Sequence, residues 1–104
     1  MISAENVFYL NKKVAEKLGL EVVCFKHNFE IRLRDSWIIF NPCFNVEQAL
    51  PIMSKHNISI NFEEHLNPAA YKNLKHVGPT TFTFDLSASH ENVLIAAMMV
   101  FIGA

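Results

Sequence analysis

VLIAAMMVFI, residues 93–102, is ten residues long and carries no charge, and its reading decides the fold. A bilayer span takes about 20 apolar residues, so this segment is half a span and reads as a buried helix. Ser89 or Asn92 supplies its N-cap, a short polar side chain that accepts hydrogen bonds from the first free amides. A helix without a polar stripe must be covered on every side. Cover is expected from the rest of the chain and in part from a second copy. Ala96 and Ala97 leave room for a sheet or helix to approach closely.

The segments that provide this cover change their period along the chain. After Ser3, a good N-cap, residues Val7, Leu10, Val14 and Leu18 recur at helical spacing, with Lys12, Lys13, Glu16 and Lys17 between them. This predicts an amphipathic helix over residues 4–18, closed by Gly19 in a left-handed cap. LEVVCFK (20–26) and FEIRLR (29–34) are rich in β-branched and aromatic residues and predict two strands joined at His27-Asn28. Asp35-Ser36 turns the chain again, and WIIF (37–40) predicts the third strand of a meander, with Trp37 in the core. Asn41-Pro42 ends it, because proline cannot donate to a ladder. Asn45 with Gln48 three residues on predicts a capping box, followed by a helix over 46–56 that buries Ala49, Leu50, Ile52 and Met53. Pro51 predicts a kink there, or a helix whose regular part starts at Pro51. Ile58, Ile60 and Phe62 alternate with polar residues as a half-buried strand, and Thr81–Asp85 alternates as another. Between them, residues 64–79 allow a short helix from Asn67-Pro68 to Leu74 or a structured loop. The expected fold is α+β: one domain over 1–104, a three-strand meander plus two further strands in a mainly antiparallel sheet, and N-terminal, middle and apolar C-terminal helices packed on one side of it.

Composition narrows the function classes. Half the residues are apolar and 18% are charged, which excludes intrinsic disorder. Nine Lys and Arg against ten Asp and Glu give a net charge of -1, so no global field draws the chain to nucleic acid or to an anionic membrane. Cys24 and Cys43 are too few for a disulfide framework and read as free thiols. Residues 1–20 lack a basic start followed by an apolar core, so a cytoplasmic protein is expected.

Candidate chemistry is sparse. His27, His56, His65, His76 and His90 with the two cysteines raise a metal site, but no pair shows the two-to-four-residue spacing of a zinc chelate. Glu63, Glu64 and His65 form an acid/base cluster, yet consecutive strand residues point to opposite faces. Cys43 and His56 could be drawn as a thiol–imidazole pair, without a third group to orient them. Three glycines leave no phosphate-cradling loop, and no nucleophile elbow is present. Lys12, Lys13, Lys17, Lys26, Arg32 and Arg34 are the cations that a nucleic-acid-binding face would use, interleaved with Glu16, Glu21 and Glu30. No catalytic, cofactor-binding or metal site is assigned, and no cofactor is expected.

LNKKVAEKLGL (10–20), NVEQALPIMSKHNISI (45–60) and HENVLIAAMMVF (90–101) together resemble the NinX family of small phage and prophage proteins, over about a third of the chain. Leu50 stands where that family commonly has Trp, Val93 stands where it often has Pro, and residues 63–84 match poorly. The resemblance implies a phage- or prophage-encoded accessory protein in the bacterial cytoplasm, and it supplies no catalytic residue to carry over. The expectation is therefore a non-enzymatic protein that binds an unidentified host or phage protein, self-associates and does not touch the membrane. The alternative is a nucleic-acid-binding module assisting phage recombination or transcription control.

Overall fold

A computed structural model describes residues 2–62 and 66–103. The elements follow in the order α1 (Ala4–Leu18), β1 (Val22–Phe25), β2 (Glu30–Leu33), α2 (Val46–Lys55), β3 (Ile58–Asn61), β4 (Ala69–Lys72), β5 (Lys75–His76), β6 (Phe82–Thr83), β7 (Leu86–Ser89) and α3 (Val93–Ile102). The architecture is α+β and every strand pairing is antiparallel, as expected. The single expected sheet is instead three: β1-β2, β3-β4-β7 and β5-β6.

α3 is the centre of the molecule. Asn92, not Ser89, is its cap, and its Oδ1 accepts from the amides of Leu94 (2.9 Å) and Ile95 (3.4 Å). Gly103 closes the other end at φ 85°, a left-handed conformation that a side chain would strain. Ile95, Ala96, Ala97, Met98, Val100 and Phe101 are buried. α1, α2, β3, β4 and β7 all pack against this helix. The chain's own elements therefore supply most of the cover, and Val93, Leu94, Met99 and Ile102 lie half-buried at its margin.

The β3-β4-β7 sheet shows why α3 can come so close. Its register pairs Ile60 with Ala70 and Ala70 with Ala88, and it sets Ser59, Tyr71 and Ser87 side by side on the other face. Ala70 and Ala88 thus give the face toward the helix a small-residue centre, where Ala70, Ala96 and Ala97 are fully buried. α1 matches its expected span, with Val7, Leu10 and Val14 buried and Ser3 Oγ accepting from the Asn6 amide at 3.1 Å. At its C-terminus Leu20 donates to Ala15 O and Gly19 to Glu16 O, the paired bonds of a left-handed cap.

Several expectations need correction. β1 and β2 are joined by a 3-10 turn at Lys26–Asn28, and Phe29 adopts φ 53°, which takes it out of the strand it was assigned to. The third meander strand shrinks to one bridge, Arg32 to Ile39, because Trp37 adopts φ 61° and Pro42 follows soon after. α2 runs from Val46 through Pro51 to Lys55, so it does not start at Pro51, and its Leu50 is exposed while Ala49, Ile52 and Met53 are buried. Residues 69–72 form neither the helix nor the loop expected between Asn67 and Leu74. They are β4, the central strand of the sheet. The strand expected at 81–85 is two residues long, and β7, which was not anticipated, follows it.

Candidate interaction surfaces

Two surfaces gather most of the large apolar side chains that the core leaves out; Leu20, Ile60, Phe62 and Leu66 are exposed elsewhere. The first is built on residues 37–46, WIIFNPCFNV, a second ten-residue run without a charge. The chain enters it through a turn closed by Trp37 N donating to Leu33 O at 2.8 Å. Arg32 braces that turn: Nη1 donates to Trp37 O at 2.9 Å, Nη2 pairs with Glu30 Oε1 at 3.0 Å, and the guanidinium lies 5.7 Å from the Trp37 ring. Phe25 meets the same ring edge-on at 5.8 Å.

Beyond the turn, one carboxamide from each helical region holds the loop. From α1, Asn11 Nδ2 donates to Asn41 Oδ1 at 2.7 Å while its Oδ1 accepts from Cys43 N at 3.4 Å. From α2, Gln48 Nε2 donates to Ile39 O and its Oε1 accepts from Asn41 N, both at 2.7 Å. Gln48 therefore serves the loop and not the capping box expected with Asn45, whose Oδ1 still caps Glu47 and Gln48. From the cap of α3, Asn92 Nδ2 donates to Cys43 O at 3.2 Å. Buried backbone polar groups need such partners, and these three side chains supply them beside the backbone bonds from Phe40 N to Ile31 O and from Leu33 N to Ile38 O.

The result is a loop that hides Phe40, Pro42 and Cys43 but turns Trp37, Ile38, Ile39 and Phe44 outward, 50%, 57%, 45% and 60% exposed. Val46 and Leu50, one helical turn apart on α2, are also about half exposed. Ile39 and Phe29 line a cleft of about 280 Å³. A neighbouring cleft of about 340 Å³ includes Phe29 and Phe44, and Val7, Asn28 and Asn41 line both.

The second surface is an arm. β5 and β6 pair with each other, and Val77 N donates to Thr81 O at 3.0 Å near the tip. Its root is a polar knot in which Asn57 and Asn73 both take left-handed backbone conformations. Asn57 Nδ2 donates to Asn73 Oδ1 at 3.0 Å, and Asn73 Nδ2 donates to Asp85 Oδ2 at 2.7 Å. Phe84 and Phe82 rest against Tyr71 at 5.0 and 6.1 Å between ring centres, yet both stay exposed, as does Val77. With this arm the molecule measures 48 × 27 × 21 Å, and its radius of gyration is 14.6 Å where a compact chain of this length has about 13 Å.

Among the described residues, those weighed for chemistry are scattered. His27 sits in the 3-10 turn, His56 lies against the Phe101 ring at 4.7 Å, His76 is on the arm, and His90 Nδ1 accepts from Asn92 N at 2.9 Å. Among the described residues no three His, Cys, Asp or Glu side chains come together. Glu63, Glu64 and His65 lie outside the described residues. Cys24 is exposed on β1, while burial pushes the Cys43 thiol up to about 12, which disfavours the thiolate a nucleophile needs. Of the six cations, Lys17 donates to Phe101 O at the end of α3 and Arg32 braces Trp37, so two are engaged within the chain. Lys13, Lys26 and Arg34 are exposed and Lys12 is half-buried. Trp37 is on the surface and not in the core where it was expected. Among the described residues no helix is long and apolar enough to cross a membrane.

Asn11, Gln48 and the second role of Asn92 were missed, because a carboxamide that bonds a distant loop leaves no periodic signal. The uncharged run at 37–46 was the available clue. A family model described as Bacteriophage P22, NinX matches residues 6–104. No curated protein and no solved structure matches the chain.

Proposed function

The chain belongs to the NinX family of bacteriophage P22, and from that premise we propose that it is a non-catalytic phage accessory protein acting in the bacterial cytoplasm by binding another protein, phage or host. One observation carries this reading: the arm displays Val77, Phe82 and Phe84 to solvent on a hairpin that packs little against the core. Aromatic residues on a projecting element are the kind of anchor that dominates binding energy at protein interfaces. Their rings are already ordered against Tyr71, so binding would pay little entropy for fixing them. The buried, protonated Cys43 and the dispersed histidines support a role without bond-making.

The test is affinity capture from phage-infected cells with the wild type and with the Phe82→Ser/Phe84→Ser double variant, followed by titration with the purified partner. A stoichiometric protein held by the wild type, and bound at least about tenfold more weakly by the double variant, is the expected result. Equal retention by both chains overturns the reading. DNA binding that weakens steeply with salt would replace it with the nucleic-acid alternative.

A further inference from the structure

The arm and the 37–46 loop leave the edge of the three-stranded sheet unexplained, and we propose that β3 pairs there with β3 of a second copy, antiparallel across a two-fold axis. The hydrogen-bond phase of the sheet is the first reason. Asn73 N donates to Asn57 O at 3.0 Å. In an antiparallel ladder, residues that bond the neighbouring strand alternate with residues whose N–H and C=O turn away from it. In the β3–β4 register Asn57, Ser59 and Asn61 therefore bond toward β4, and Ile58 and Ile60 turn their backbone groups to the outer edge. β4 keeps the complementary phase: His90 N donates to Pro68 O, so Pro68, Ala70 and Lys72 bond toward β7. Among the described residues no strand lies beyond β3, and nothing pairs with the Ile60 N–H or C=O. Ile60, and Phe62 just after the strand, are exposed.

The second reason is that this edge is unguarded. Proteins protect such edges with a charge, a proline or a bulge. Residues 57–62, NISINF, hold no charge and no proline, and the pairing with β4 runs without a bulge. The edge therefore accepts an extended strand, the element whose N–H and C=O groups recur at the matching spacing.

Charge and symmetry select a second copy as that strand. A two-fold axis at Ile60 makes Ile60 and its copy a hydrogen-bonded pair, each N–H donating to the other's C=O. The period of two then keeps the isoleucines of both copies on one face and Ser59 and Asn61 on the other. No like charges meet at the axis, because residues 57–62 have no ionisable side chain. The sequence is oppositely charged on the two sides of the strand, with Lys55 before it and Glu63-Glu64 after it. Antiparallel self-pairing brings unlike ends together, which parallel pairing would not. The two three-stranded sheets become one continuous sheet with both copies of α3 on the same side. The proposal does not depend on the arm binding anything, so either can fail alone.

Sedimentation equilibrium of the full chain, from about 1 to 100 µM, and amide exchange read by NMR test it. The wild type is expected to pass from the 11.9 kDa monomer to twice that mass. The Ile60 amide is expected to exchange at least about tenfold more slowly in the dimer than in the monomer, while the Ser59 amide, bonded to β4, is protected in both. Ile60→Pro removes an outward N–H and no bond to β4, and Ile60→Lys sets like charges across the axis. Each is expected to weaken association at least about tenfold, and melting at monomer concentrations checks that the variants stay folded. Phe82→Ser/Phe84→Ser is expected to leave the dimer unchanged. A wild type that stays at 11.9 kDa overturns the proposal and leaves the edge to a strand of another protein. A dimer whose Ile60 amide exchanges as fast as the monomer's overturns it too, as does one indifferent to both Ile60 substitutions or dissolved by those in the arm.

Discussion

Residues 93–102 and residues 37–46 are each ten residues long and uncharged, yet the first run is the most enclosed part of the molecule and much of the second faces water. The absence of charge alone does not separate them. The difference lies in the backbone. A helix satisfies its own amides and carbonyls, so α3 can be wrapped on every side at no polar cost beyond its two ends. The 37–46 run has Trp37 in a left-handed conformation and a proline at 42; backbone bonds to β2 serve Trp37, Ile38 and Phe40, and beyond them its polar groups draw on side chains from elsewhere. The Ile31 carbonyl, which accepts from Phe40 N, and three carboxamides together allow Phe40, Pro42 and Cys43 to be buried. Apolar content states how much surface seeks cover, and backbone hydrogen bonding decides which of it can be covered.

The most direct way to break this comparison is to put the same charge into both runs. Ala97 is fully buried. Ala97→Glu forces an unpaired carboxylate into the core, at a cost of several kcal/mol against a total stability of about 5–15 kcal/mol. Loss of soluble, cooperatively melting protein is expected. Ile38→Glu, in the other run, is expected to keep the monomer's melting transition. Near-normal melting of Ala97→Glu would show that α3 is not enclosed as described.

A smaller effect is expected where the two runs are tied together. Asn92 caps α3 and also bonds the Cys43 carbonyl. Asn92→Ala removes a cap worth about 1–2 kcal/mol and leaves a carbonyl short of a partner, so a loss of about 2–3 kcal/mol is expected. Urea denaturation reads this as a lower midpoint at unchanged slope. A loss below about 0.5 kcal/mol would mean that water replaces the side chain at both ends.

These elements also mark what could be read in the sequence. α1, the cap at Asn45 and α3 were legible because caps and helical periodicity are local. The alternation of β3 was legible for the same reason. β4 was not, since AAYK after Asn67-Pro68 has helix-like local preferences and becomes a strand only because α3 needs small residues beneath it. In β7, Leu86 and Ala88 alternate with Ser87 and Ser89, a period-2 signal hidden by weak strand formers. The meander's third strand failed at Trp37, whose left-handed backbone nothing in WIIF announces. The interaction surfaces were the least legible, because which apolar residues stay outside depends on contacts that only the folded chain makes.

The two cysteines give a third contrast, of intermediate size. Cys24 is exposed and is expected to react with a thiol reagent in the native protein, whereas Cys43 reacts only after unfolding. Burial raises the Cys43 thiol from 9.0 to about 12. The native state thus keeps a proton that the unfolded state releases. Its contribution to stability is full below about pH 9 and declines as pH rises from there toward 12. At pH 10 the loss is about 1.4 kcal/mol, and Cys43→Ala should flatten the alkaline fall in stability by that amount. An identical slope in both proteins would mean that Cys43 titrates as an exposed thiol does.

The smallest expected change sharpens the comparison furthest. Ile95→Val deletes one methyl group from the enclosed run and is expected to cost about 0.5–1.5 kcal/mol at any protein concentration, because the cavity is left inside the fold. Phe44→Ser deletes a whole ring from the exposed run. At concentrations where the chain is monomeric it is expected to change stability by less than about 0.5 kcal/mol, since the ring is already 60% exposed. A ring deletion that costs more than the methyl deletion in dilute solution would place Phe44 in the monomer's own core, and the two runs would then differ less than their exposures indicate.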